Sequence, residues 1–388
     1  MIFVAARCDG AEIRYVDTKR HLWWLSVLSP AVPGVCALLL WQSANPFWAA
    51  FPLIFYFVLV PVLDALVGED TANPPEEVVE ALSRDRYYRL LLYCSIPVLW
   101  FSFIAATAVA ASMHLPLWAF ATLAIGAGAA SGGGLAVGHE LGHGGTASDR
   151  FAAKLVCALT AYSHFTIEHN RGHHVLVATP DDPASARLGE SIYRFALREI
   201  PGTALRGWGL ERARLRARGL PFWHWRNDIL QGYALALVVA GMLVAVFGWA
   251  ALPFIAIHHL FGWLQLTQAN YVEHYGLKRR RMENGRHEPC APRHSWNTNH
   301  IVSNLLLFHL QRHSDHHANP MRPYQALRDF ADLPRLPSGY PGCFVLAAIP
   351  PLWRRVMDPK VMRWAGGDLE NVNIMPGRER HYAANLPA

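Results

Sequence analysis

The run Ser131-Gly-Gly-Gly-Leu-Ala-Val-Gly-His-Glu-Leu-Gly-His143 closes a long apolar segment and passes directly into a histidine pair. Small residues at the end of an apolar helix suit backbones packed closely in lipid. Histidines four apart share one face of a helix. The run therefore predicts a membrane helix whose end presents imidazoles.

Two further boxes follow, His169-Asn-Arg-Gly-His173-His174 and His313-Ser-Asp-His316-His317. A lone His274 sits in Asn-Tyr-Val-Glu-His-Tyr-Gly. Together these hold nine of the 20 histidines. The helical spacing predicts that each box aims its imidazoles at one point. Nine imidazoles exceed what one first-row ion accepts, so the set predicts two metal ions, four ligands on one and five on the other. Imidazole suits iron, zinc, copper and nickel alike, so ligand type leaves the metal open. The carboxylates beside the boxes are Glu140, Glu168, Glu273 and Asp315. A neighbour on a helix points about 100° away. These four either accept the far N–H of a metal-bound imidazole or pair with arginines such as Arg171 and Arg312. His164 and His309 lie within helical reach of the second and third boxes. His258 and His259 read as packed or hydrogen-bonded.

Working outward, the 388 residues are 52% hydrophobic and only 16% charged, with mean hydropathy +0.14. Soluble domains carry about 25% charge. Segments near bilayer length are expected at about 25–44, 47–67, 90–112, 116–138, 231–250 and 252–270. They form three hairpins with turns at Asn45-Pro46, His114-Leu-Pro116 and Ala251-Leu-Pro253. These turns lack Lys and Arg, whereas the N-terminal segment, the 69–89 loop and the 150–226 stretch are rich in Arg. The positive-inside rule puts both termini and all long loops in the cytoplasm. The expected architecture is all-α: one integral-membrane domain over 1–388, six spans, and a cytoplasmic helical cap over about 139–230 and 271–388. All the boxes fall at the cytoplasmic ends of the spans.

Asp9, Glu12, Arg14 and Asp17 argue against a signal peptide. The six cysteines, at 8, 36, 94, 157, 290 and 343, include no Cys-x-x-Cys, which points away from a disulfide framework or a thiolate site. The pI of about 9.1 reads as membrane topology, with anionic lipid or an acidic partner as the sharper reading; nothing suggests nucleic acid. Asn73-Pro-Pro-Glu-Glu77 reads as a helix start. The apolar 343–353 segment is too short to span and is expected against the cap or the membrane interface.

At Asn270-Tyr-Val-Glu-His-Tyr-Gly276, Leu310-Gln-Arg-His-Ser-Asp-His-His-Ala-Asn-Pro320, Glu168-His-Asn-Arg-Gly-His-His174 and Leu63-Asp-Ala-Leu-Val-Gly-Glu-Asp70 with Asn73-Pro-Pro75, the chain resembles the membrane-bound alkane 1-monooxygenases. These belong to the wider histidine-box group of membrane desaturases and hydroxylases. The likeness runs from about Tyr15 to about Gly367; Gly144 departs from it, at a position of lysine in many relatives. It implies a multi-pass protein of the bacterial inner membrane with a cytoplasmic active site. It implies a non-haem di-iron centre that uses dioxygen to hydroxylate the terminal methyl of medium-chain alkanes. The ligands carried over are His139, His143, His169, His173, His174, His274, His313, His316 and His317. Electrons would come from rubredoxin, supplied by rubredoxin reductase; with no Cys-x-x-Cys here, rubredoxin must be a separate protein.

An alkane has no polar handle, so channel shape must select its end. Phe47, Trp48, Phe51, Phe55, Tyr56, Phe57 and Trp263 are available as walls, and Tyr56 is the candidate channel residue. Three alternatives stay open: a fatty-acyl desaturase or related hydroxylase with the same di-iron chemistry, a transporter, and a membrane zinc hydrolase using His139-Glu-Leu-Gly-His143 with Glu140 as base. Histidines at the ends of spans disfavour transport, whose sites sit mid-span.

Overall fold

A computed structural model describes residues 2–7 and 10–384; Cys8 and Asp9 lie outside the described residues. The chain is mostly helical, but it opens with a feature the all-α expectation omits. Strands Ile2–Ala6 and Glu12–Val16 pair antiparallel, from Ile2 opposite Val16 to Ala6 opposite Glu12. Their β-branched and aromatic residues suit a pleated surface. Phe3 is buried in a cluster with Val78 and Leu82, which lie on the helix Glu76–Arg84 that Asn73-Pro-Pro introduces.

Among the described residues, five helices are long and apolar enough to cross a membrane: Trp24–Ser43, Phe47–Val67, Arg86–Ser112, Leu117–Gly142 and Asp228–Phe247. They match five expected spans within a few residues. The sixth expectation falls in the helix Ala251–His274, which is as long as its neighbours but more polar. Hydropathy counts a polar residue whichever way it faces. Here His258, Gln265, Thr267, Asn270 and Glu273 are buried inside the protein.

The Leu117–Gly142 and Ala251–His274 helices cross at almost backbone contact. A Cβ on Gly128 would lie 2.6 Å from His258 O, and one on Gly132 only 2.5 Å from Gln265 Cβ. The small-residue run is thus a packing surface. His258 Nε2 also bonds Ser131 Oγ across this seam at 2.9 Å. Two π turns interrupt the helices. The first, Phe55–Leu59, precedes Pro61, which has no N–H to continue the α ladder. The second is His169–His173.

The rest of the chain gathers at one end of these helices. Ala147–Leu159 starts on a Thr146/Asp149 capping box. Ile192–Arg216 and the short helices His313–Ala318 and Tyr340–Ala347 follow. Pro350–Trp364 buries Trp353 against Tyr271 and Tyr275. The 343–353 segment therefore lies against the layer that carries His274.

Candidate metal centre

All nine histidines of the boxes meet in that layer, and they sort into two groups. His139, His143, His169, His174 and His316 form one; His173, His274, His313 and His317 form the other. Within each group the nitrogens that face inward lie within 4.8 Å of one another. The five-plus-four division matches the count expected from sequence. The idea that each box converges on one point does not hold, because only the first box stays together. His169 and His173, four apart, part company, while His169 and His174, five apart, meet with Nε2 atoms 3.0 Å apart. The π turn is the reason: its backbone bond runs from His174 N to His169 O, five residues back. A widened turn brings i and i+5 onto one side. In the third box His313 and His317 converge, Nε2 to Nε2 at 2.8 Å. His316 turns to the other group, 3.1 Å from His174 Nε2.

Each set suits a transition-metal ion. The Nε2 atoms of His139, His143, His173 and His274 are buried without a hydrogen-bond partner. Converging imidazole lone pairs with no donor between them are costly unless a cation fills the gap. Burial pushes His143 down to about 4. Burial and neighbouring rings hold His316 and His317 well below the usual histidine range. These three rings are therefore neutral and able to bind a metal near neutral pH.

The four carboxylates beside the boxes behave differently from one another. Glu168 pairs with Arg206, not Arg171. Asp315 is held by Arg322, Asn319 and the Arg328 N–H. Glu140 accepts from Tyr324 N at 3.0 Å. Only Glu273 reaches an imidazole, its Oε2 lying 3.3 Å from His313 Nε2. The carboxylate that grips the far side of a ring is one the sequence reading missed. Asp182 Oδ2 lies 2.9 Å from His173 Nδ1, while its Oδ1 accepts from Arg206 at 2.7 Å. Burial disfavours a charged His173, but Asp182 and Glu168 outweigh it and hold that ring above its ordinary value. Asp182 is held below the usual carboxylate range by the same pairing, against its own desolvation. Asp182 follows His173 by nine residues in Thr179-Pro-Asp-Asp-Pro183, so loop proximity was its only signal.

Other histidines stay outside both groups. His164 Nδ1 meets Tyr233 Oη at 3.2 Å, and His309 Nδ1–H donates to Tyr324 O at 3.0 Å. The His294 carbonyl touches His274 Nδ1 at 3.3 Å. Arg312, fully buried, donates to the carbonyls of Asp70, Ala72 and Leu327, so it braces the third box instead of pairing with its acids.

An apolar cavity runs from between the helices to this layer. Tyr56, Phe57, Leu307 and Phe344 contribute to its walls, and His139, His169, His313 and Glu273 line it as well. Tyr56 is fixed there by donating to Ser29 O at 2.7 Å. Gly133 also lines the cavity; a Cβ there would meet only Leu307 Cδ2, at 3.7 Å. Trp263 instead donates to Thr160 O at 2.7 Å.

The family model described as fatty acid desaturase matches residues 113–346. The chain is 50% identical to alkane 1-monooxygenase 1 of Alcanivorax borkumensis, over 97% of this chain and 93% of that protein. It is 51% identical to the alkane 1-monooxygenase of Ectopseudomonas oleovorans, over 95% and 92%. The hydroxylase component of a xylene/toluene monooxygenase from Pseudomonas putida is 30% identical over 66% of each chain. A polytopic helical protein with a histidine-lined end to an apolar cavity, this chain belongs to the alkane 1-monooxygenases, within the wider fatty acid desaturase family.

Proposed function

We propose that the chain is a rubredoxin-dependent, non-haem di-iron enzyme that converts medium-chain n-alkanes to 1-alkanols. The observation that carries this is the apolar cavity ending on histidines of both groups. The nine histidines would hold two irons, five imidazoles on one and four on the other. When bound, the irons supply the dioxygen chemistry: one oxygen atom enters the terminal C–H bond and the other leaves as water, with two electrons and two protons consumed.

The chain's own residues do the selecting and the holding. The walls at Tyr56, Phe57, Leu307 and Phe344 admit an unbranched chain and bring its end toward His139, His169 and His313. Apolar burial binds the substrate at roughly 0.8 kcal/mol per methylene. The same walls keep bulk water from the reacting carbon. Asp182 fixes the orientation of His173 and makes it a stronger ligand. Glu273 lies at the cavity floor, beside His313.

The Ala251–His274 helix is assigned as a sixth crossing, its polar face turned inward. Both termini and the histidine layer are assigned to the cytoplasm of a bacterial inner membrane, where a separate rubredoxin, recharged by its reductase, delivers electrons. Arginine-rich segments on the histidine side support that orientation.

The test is metal content with product analysis. The detergent-purified protein is assayed for iron and zinc, then given octane, dioxygen, rubredoxin, its reductase and NADH. Two irons per chain with 1-octanol formed is the expected result. Stoichiometric zinc without iron overturns the reading, and double bonds placed in an acyl substrate move the chain to the desaturases.

A further inference from the structure

The helix Ile192–Arg216 shows two very different sides. Its inner side serves the centre: Arg206 binds Glu168 and Asp182, and Glu199 accepts from Thr267 and Asn270 on the helix of His274. Its outer edge serves nothing so far described. At four-residue steps it exposes Tyr193, Leu197, Pro201 and Leu205, of which Leu197 is 81% and Leu205 74% accessible. That apolar edge runs about 18 Å at 1.5 Å per residue. It then turns basic with Arg212 and Arg216, both exposed.

The loop beyond the helix continues the pattern. Arg218 and Arg226 are exposed, and Trp223 and Trp225 are 76% and 70% accessible. The Arg226 guanidinium lies 5.1 Å from the Trp225 ring centre. Arg214 alone turns inward, to Glu211 and Asp228. Among the described residues no carboxylate pairs with Arg212, Arg216, Arg218 or Arg226. The next residue, Asn227, caps the spanning helix Asp228–Phe247. The cluster thus stands within a turn of the membrane boundary.

We propose that this face lies on the bilayer and binds anionic phospholipid headgroups. The arginines take the phosphates, Trp223 and Trp225 sit at headgroup depth, and the Tyr193–Leu205 edge rests in the acyl boundary, as an interfacial amphipathic helix does. A soluble acidic protein would satisfy the arginines but would leave the apolar edge and its continuity with a spanning helix unexplained. Because the inner side of the same helix holds Glu168 and Asp182, the lipid seat also steadies the second histidine box.

The test uses the intact protein in bilayers containing brominated phosphatidylglycerol or brominated phosphatidylcholine. The difference in tryptophan quenching between wild type and Trp223→Phe/Trp225→Phe isolates the two exposed rings. Phosphatidylglycerol is expected to quench this component at lower mole fraction, and each guanidinium lost should weaken the preference about fivefold. Arg212→Gln/Arg216→Gln/Arg218→Gln should therefore abolish it, while the corresponding lysine triple should keep most of it. These side chains have no carboxylate partner to lose, and the lysine triple separates charge from folding. Equal quenching by both lipids, or a preference that survives in the glutamine triple, overturns the proposal. So does a component quenched by aqueous iodide but by neither lipid, which would place the face in water and favour a soluble partner.

Discussion

The two histidine groups differ in support more than in number. The group of five includes both boxed imidazoles with partial solvent exposure, His143 and His174, and no carboxylate grips its rings. The group of four is wholly buried, with Asp182 behind His173 and Glu273 beside His313. One group is therefore anchored by charge and shielded, and the other is held by convergence alone and opens toward solvent. Identical ligand chemistry can yield unequal sites when the surroundings differ.

The strongest way to break this contrast is to remove one ligand from each group. His274→Ala leaves three imidazoles in a buried set, and His143→Ala leaves four in the other. His274→Ala is expected to reduce 1-octanol formation to background and to cost more metal than His143→Ala. Equal metal loss in both, measured by elemental analysis, would dismiss the contrast.

A second test addresses the helix behind the group of four. Burial pushes Glu199 from 4.5 up to about 7, against hydrogen bonds from Thr267 and Asn270. Its folded state favours the protonated acid, so stability is full below the unfolded value of 4.5. It falls as pH rises and is fully lost above about 7. The loss amounts to about 3 kcal/mol. Glu199→Gln should remove this slope, so its melting advantage over wild type grows between pH 5 and pH 8; a constant difference refutes the assignment.

Asp182→Asn is the sharper probe of charge support. It keeps the shape but removes the carboxylate from His173, and about 10–100-fold is expected in metal affinity or activity. Competition with a chelator measures it. Glu168→Gln, at a carboxylate that reaches the same ring only at a distance, should act more weakly, since Glu168 touches Arg206 and no imidazole.

The smallest effects belong to the cavity, which both groups share. Tyr56→Ala should lengthen the preferred alkane and Gly133→Phe should shorten it, each with only a modest change in total turnover. A product profile over a graded n-alkane series reads this out, and an unchanged profile in both variants would remove those residues from the walls.

Much of this was legible in the sequence because it is local and repetitive. Length and apolarity are local signals, so five helices long and apolar enough to cross a membrane lie within a few residues of the expected segments. The nine histidines stood out by spacing, and their number alone suggested a division into four and five. What sequence hid was geometric. The helical rule of three and four misassigned the second box, because nothing in His169-Asn-Arg-Gly-His173-His174 advertises a π turn. Asp182 and Arg206 act on His173 from a loop and from a distant helix, contacts that only the folded chain creates. Similarly, the N-terminal strands are too short to compete with the helical signal downstream. The polar face of Ala251–His274 lowers its hydropathy even though it is turned away from lipid.

The second and third boxes each send rings to both groups. Single helical turns, stiffened by their own backbone bonds, therefore act as the gauge between the two centres. Loop motion elsewhere in the cap leaves that gauge untouched; only unwinding a turn would alter it. Any two ions held by the two groups would therefore sit at one fixed separation.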